Sequence, residues 1–260
     1  LLARGTAEAF DALLARACAG DRTCLAACRA FRPGVSLPSL QASLGDPARR
    51  AAAVEILLAA DGDPFREALL AAARADEAVR AAALVHAQET VSESRSSRFL
   101  VAALCDEGLS SSATAALAST PVRRLRRGLS EALRLDAAGV VAFLGTRSGE
   151  AAARDLLVAA LAYDGVRADA GRALLTKGDL RALGPLLRGG SREDCEALAA
   201  LPSDVRRREL SKALGAPATR AAALRAIGHE DASLWRDVVP WLKDARLRGE
   251  ALAAIARTGV

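Results

Sequence analysis

Three kinds of side chain in this sequence have types and spacings suited to chemistry: clustered cysteines, runs of arginine and a pair of tryptophans. Cys18, Cys24 and Cys28 crowd into eleven residues, and Cys24 and Cys28 are about one helical turn apart. A disulfide from Cys18 to Cys24 or Cys28 would staple the N-terminal segment and imply an oxidising compartment. The same thiols also read as small apolar residues packed between two helices. A metal site is the third reading, and it lacks a fourth ligand nearby, because the only histidines, His86 and His229, are remote. Cys105 and Cys195 sit in apolar stretches and are expected in the core.

Arg123, Arg124, Arg126 and Arg127 open one helical stretch, and Arg206, Arg207 and Arg208 form a second run. On a groove wall these would neutralise phosphates or acidic peptide segments. As a solvated face they would pair with Glu131, Asp136, Glu209 and neighbours. Cations at a helix start oppose the helix dipole, so the first run is locally unfavourable. Trp235 and Trp241 share the stretch 234–242 but lie about 120° out of alignment on a helix. One is expected in the core and the other nearer the rim. Two distant histidines supply little acid–base chemistry, and no nucleophile elbow, zinc-protease pair, phosphate loop or dinucleotide fingerprint occurs. No catalytic residue, metal ligand or cofactor is therefore assigned, and the expectation is a non-enzymatic protein.

The elements that must position these residues are helical. Of 260 residues, 52% are apolar, much of this Ala and Leu, while aromatics make up 3%. The formal charge of +5 is carried almost wholly by arginine, a bias that fits GC-rich coding and bears on solubility more than on fold. No apolar run approaches the roughly 18 uncharged residues of a membrane helix. The chain opens at Leu1 and contains no Met, so a trimmed native N-terminus is expected, and a signal peptide could have preceded it.

Self-similarity is the strongest signal. Asp46-Pro-Ala-Arg-Arg50-Ala-Ala-Ala-Val54 matches Asp76-Glu-Ala-Val-Arg80-Ala-Ala-Ala-Leu84, and further copies begin at Glu150, Ala216 and Asp244, with a poorer one from Asp204 to Arg208. The acidic residue suits a helix start, and the arginine four residues on lies within reach of that carboxylate or the next repeat's. Second helices are expected at 64–73, 97–105, 122–135, 166–175 and 234–242. Glycine-containing breakers separate them, among them Gly62, Gly165 and Gly189-Gly190. Residues 1–45 differ: 6–18 and 22–31 read as helices and 32–38 as a Pro/Gly connector. Together they form a helical cap belonging to the same domain as the repeats.

The Asp-x-x-x-Arg-x-x-Ala-x-x-Leu repeat resembles the HEAT family, especially the short bacterial form shared with phycobilin-lyase-type repeats, over residues 46–260. The resemblance implies an all-α, right-handed superhelical solenoid of helical hairpins whose second helices line a concave binding groove. It implies a scaffold or adaptor that binds a protein or peptide partner there, the arginine runs and Trp235 and Trp241 being the candidate contacts. Some HEAT-like proteins are DNA glycosylases that hold damaged bases with aromatic and acidic residues in a basic groove; Trp235, Asp237 and Trp241 are the comparable cluster here. Nucleic-acid binding and a tetrapyrrole lyase or chaperone role are thus the alternatives. The cysteine cluster leans toward an exported or periplasmic protein over a cytoplasmic one.

Overall fold

A computed structural model describes residues 6–135 and 137–259. Helix accounts for 77% of the described residues, and no strand occurs among them. No helix among them is long and apolar enough to cross a membrane. The chain divides into two compact units, Leu1–Gly128 and Leu129–Val260. The first contains α1 (Ala7–Cys18), α2 (Arg22–Cys28), α3 (Pro33–Gly45), α4 (Arg50–Ala59), α5 (Asp63–Ala75), α6 (Glu77–Glu89), α7 (Ser94–Leu104) and α8 (Ser110–Ala116). The division falls within α9 (Val122–Leu133). The second unit continues with α10 (Ala138–Thr146), α11 (Ala151–Ala160), α12 (Asp164–Leu175), α13 (Leu183–Gly189) and α14 (Arg192–Ala197). It ends with α15 (Ser203–Gly215), α16 (Arg220–Ala226), α17 (Trp235–Val238) and α18 (Arg248–Thr258).

Each unit is layered. In the first, α4 packs on α6 and α6 on α8, while α3 packs on α5 and α5 on α7. In the second, α14 packs on α16 and α16 on α18, with α15 against α16 and α17. Alanine makes this closeness possible: Ala53, Ala83, Ala113, Ala153, Ala223 and Ala254 are fully buried, one each in α4, α6, α8, α11, α16 and α18. Leucines and a few aromatics fill the remaining space, among them Phe65, Leu69, Phe99 and Leu104 in one unit and Phe143, Leu157, Leu174 and Leu224 in the other. Burying such a side chain contributes about 1.5–3 kcal/mol. The N-terminal helices pack directly on α4, with Phe10 and Phe31 edge to face at 5.2 Å and both Arg22 and Arg29 reaching Glu55.

Local chemistry sets the helix starts. Thr6 Oγ1 accepts from the Ala9 amide at 3.3 Å, and Asp21 Oδ1 accepts from the Thr23 and Cys24 amides at 3.0 and 3.1 Å. The stretch 32–38 is not the expected connector, because α3 begins at Pro33. A proline at the first helical position has its φ already set for the helix and loses only an amide that would have no partner there. The stretch 234–242 is not one helix either. It runs as a 3₁₀ turn (His229–Leu234), the single turn α17 and a second 3₁₀ turn (Val239–Lys243). Pro240 has no amide to donate and its ring crowds the carbonyl four residues back.

The repeat signature works differently from the expected carboxylate pair. Asp46, Asp76 and Asp244 each accept from the amide two residues on, at 2.9, 2.7 and 2.9 Å, which fixes the turn into the helix. The arginine four residues later turns back to the helix just ended. Arg50, Arg80, Arg220 and Arg248 donate Nε to the carbonyls of Leu44, Ala73, Leu214 and Leu242 at 2.8–3.0 Å. Arg80 and Arg220 add Nη2 bonds to Arg74 and Gly215 carbonyls, both 3.3 Å or shorter. In the copy at Glu150 the Arg154 Nε is buried without an acceptor. The run Asp204–Arg208 is no copy of this motif, since it lies inside α15. Asp106 opens a copy that the arginine pattern misses: it accepts from Gly108 N at 3.0 Å and starts the turn into α8, but Ser110 stands where arginine would.

Arg220→Ala therefore removes two carbonyl bonds and the guanidinium stacked 3.7 Å over Trp241. Urea unfolding is expected to show a loss of roughly 2 kcal/mol, only partly restored by Arg220→Lys, which lacks the planar fork. Arg49→Ala, which removes an exposed 3.4 Å pair with Asp46, serves as the control and is expected to cost less than about 0.5 kcal/mol. Equal losses for Arg220→Ala and Arg49→Ala would show that the carbonyl clamp contributes nothing of its own.

Candidate functional site

Two aspartates in the second unit show how charge is buried there. Asp194 closes a capping box with Ser191 at the start of α14, accepting from Ser191 N at 3.2 Å. Asp231 accepts from Gly228 N at 3.1 Å. Both are fully buried, and each is met by an arginine from an earlier helix. Arg167 of α12 grips Asp194 through Nε and Nη2 at 2.8–3.1 Å. Arg206 of α15 donates Nε to Asp231 at 3.1 Å and Nη2 to Glu230 at 3.0 Å.

This disposes of the second arginine run as one binding surface. Neighbouring residues on a helix point about 100° apart, so the three side chains diverge. Arg206 is buried in its ion pair, Arg207 Nε bonds the Ser203 carbonyl of its own helix, and Arg208 pairs with Glu209 at 3.1 Å. Arg123, Arg124, Arg126 and Arg127 by contrast are all exposed on α9, where Val122, Leu125 and Leu129 face inward. Neither tryptophan is fully buried. Trp241 has its face covered by Arg220, Trp235 lies 5.5 Å from Arg236, and Asp237 accepts from Ser211 Oγ at 2.9 Å. Asp136 lies outside the described residues.

Cys18, Cys24 and Cys28 carry free thiols. The Cys24 thiol donates to Asp21 Oδ2 at 3.1 Å, which raises its pKa, and burial pushes Cys28 up to about 11. Cys105 is exposed rather than in the core, because it stands at the C-cap of α7. No group of three or more metal-ligating side chains is arranged to hold an ion among the described residues.

What the sequence runs did not reveal is a cavity of about 620 Å³ in the second unit. Its wall is formed by the ends of α14, α16 and α18 with the turn 228–231, and it brings together Cys195, Arg225, Arg257, His229, Glu196 and Glu230. Cys195 and Arg225 are thirty residues apart and Arg225 and Arg257 thirty-two, one repeat each. That spacing was the available signal, hidden because a cation in the last turn of a helix is ordinary dipole compensation. Arg257 donates to the Leu224 and Ile227 carbonyls at 2.7 and 2.9 Å, and Arg192 pairs with Glu196 at 2.7 Å. Arg225 has no carboxylate or carbonyl acceptor among the described residues and lies against the Cys195 thiol.

The Gly189-Gly190 pair makes room for this wall. Gly190 caps α13 at φ +61°, and a Cβ there would stand 2.8 Å from Arg225 Nη2, while one on Gly189 would strike the Arg167 guanidinium. Burial pushes the Cys195 thiol above its usual pKa; Arg225 and Arg257 pull it back, and Asp194 raises it further. The net shift is upward, so the thiol is not the lowered-pKa nucleophile that covalent catalysis needs. The thiol instead donates weakly to the Ala222 carbonyl at 3.6 Å. The arrangement offers guanidinium donors beside an apolar flank.

Arg206→Ala would strand the Asp231 carboxylate in the interior, and a loss of about 3–5 kcal/mol is expected in chemical denaturation, against less than about 0.5 kcal/mol for Arg207→Ala. Equal effects would show that the buried pair is not structural. Timed alkylation of the native protein at pH 8 should find Cys28 the slowest thiol. With its pKa near 11, only about one molecule in a thousand carries the thiolate there. Labelling of Cys28 as fast as that of exposed Cys105 would contradict the buried environment.

No protein-family model matches this chain, and no curated protein or solved structure matches it at a significant level.

Proposed function

We propose that this chain is a non-enzymatic HEAT-like scaffold, a right-handed solenoid of helical hairpins, that binds a segment of a protein partner. The docking place is the cavity walled by α14, α16 and α18. One observation carries this reading: in a molecule whose buried carboxylates are each committed to an arginine, Arg225 stands at a 620 Å³ cavity with no carboxylate or carbonyl to hold. A concave site with a few convergent polar groups is the usual form of a binding site. The thiol in its wall has a raised pKa, which favours recognition over covalent chemistry.

A second reading, nucleic-acid binding, draws on the exposed Arg123, Arg124, Arg126 and Arg127 of α9. Such binding would weaken steeply with added salt. A tetrapyrrole role has no observation of its own.

Selection from a displayed random-peptide library tests the scaffold reading. Ala199 lines the cavity from an exposed position, so Ala199→Trp fills it without disturbing the core. Selected peptides are expected to bind the native chain and to lose at least about tenfold in affinity on Ala199→Trp. Failure to enrich any peptide, or binding indifferent to Ala199→Trp, would remove the cavity as the docking place.

A further inference from the structure

The four arginines that line the cavity are not equivalent. Arg192 and Arg206 are matched by Glu196, Glu230 and Asp231. Arg257 spends Nε and one Nη2 donor on carbonyl oxygens, which are dipoles and leave its charge uncancelled. Arg225 spends nothing on a carboxylate or carbonyl and is exposed. Two guanidiniums without a carboxylate therefore line the same cavity, Arg225 beside the Cys195 thiol and Arg257 in the last turn of α18. Ala199, Ala226 and Ile227 supply an apolar flank beside them.

We infer that the occupant is an acidic peptide segment, whose carboxylate sits between Arg225 and Arg257 while its methylenes lie on Ala199, Ala226 and Ile227. This inference rests on the scaffold reading above. A guanidinium fork matches a carboxylate with paired N–H···O bonds, and partial exclusion of water strengthens them. Charge balance selects carboxylate over phosphate. The four arginines of the lining face Glu196, Glu230 and Asp231, which leaves one positive charge, enough for one carboxylate and one short of a dianionic phosphate. Arg225 is the residue that sets specificity, since Arg257 also fastens the end of α16. Gly190 is its accessory, because any side chain there would push the Arg225 guanidinium aside.

Fluorescence anisotropy with a labelled tetraglutamate peptide and its tetraglutamine counterpart tests this. The native chain is expected to bind the glutamate peptide at least about tenfold more tightly than the glutamine peptide, and Arg225→Gln to erase that preference with no change in melting temperature. Arg225→Lys should restore part of it. The triple substitution Arg123→Gln, Arg124→Gln and Arg126→Gln should leave it intact. Preference unaffected by Arg225→Gln, or lost only in the triple variant, would place acidic recognition elsewhere and overturn the inference. Displacement of the peptide by inorganic phosphate at lower concentration than by acetate would assign the site to phosphate and overturn it equally. Library peptides that bind through the cavity without regard to charge would overturn this inference and leave the scaffold reading standing. Absence of binding by any peptide, library or acidic, would overturn both.

Discussion

Every helix leaves its last carbonyls without partners, and a chain of eighteen helices among its described residues has that deficit many times over. At several of these ends the deficit is met by arginine. The residue that opens one helix folds back and donates to the carbonyl that ends the one before, as Arg50 does to Leu44 and Arg248 to Leu242. A cation at a helix C-terminus also matches the negative end of the dipole. One side chain thereby ends a helix, fixes the angle of the next and closes the turn between them. The alanine-lined contacts follow from it, because small residues pack closely only if successive helices arrive at a set angle.

A second use of arginine ties helices farther apart. Arg167 and Arg206 cross to buried aspartates that already cap later helix starts, so one carboxylate holds a backbone amide and a guanidinium together. Burying charge in this way costs desolvation that only full pairing offsets. The arginines committed to carbonyls and carboxylates are therefore parts of the framework, whatever the formal charge suggests. In the second unit Arg225, which holds neither, stands outside that framework.

The helical class and the repeat were legible because they follow from composition and period, both of which are properties of side chains in line. The aspartates that open the turns at 46, 76 and 244 were legible for the same reason. The role of the repeat arginine was not, since its acceptors are backbone carbonyls and leave no letter in the sequence. Pro33 and Pro240 were visible but of opposite meaning: one begins a helix and the other breaks one, and position within the turn decides which. Arg206 looked like a member of a basic run because adjacency along the chain says nothing about facing direction. The cavity was least legible. Its residues lie one repeat apart, and only packing α14, α16 and α18 side by side makes them neighbours.

The two kinds of fastening differ in how they constrain descent. A carbonyl is offered by any residue, so an arginine clamp needs no particular partner in the segment it holds. A hairpin duplicated whole brings its own donor and finds an acceptor wherever it is inserted, and the chain could lengthen or shorten by such steps without orphaning a bond. The Arg167–Asp194 and Arg206–Asp231 pairs allow no such shuffling, because each requires one named side chain in one later hairpin. The second unit thus holds its hairpins in a fixed order, and the cavity walled by α14, α16 and α18 is what that fixed order preserves.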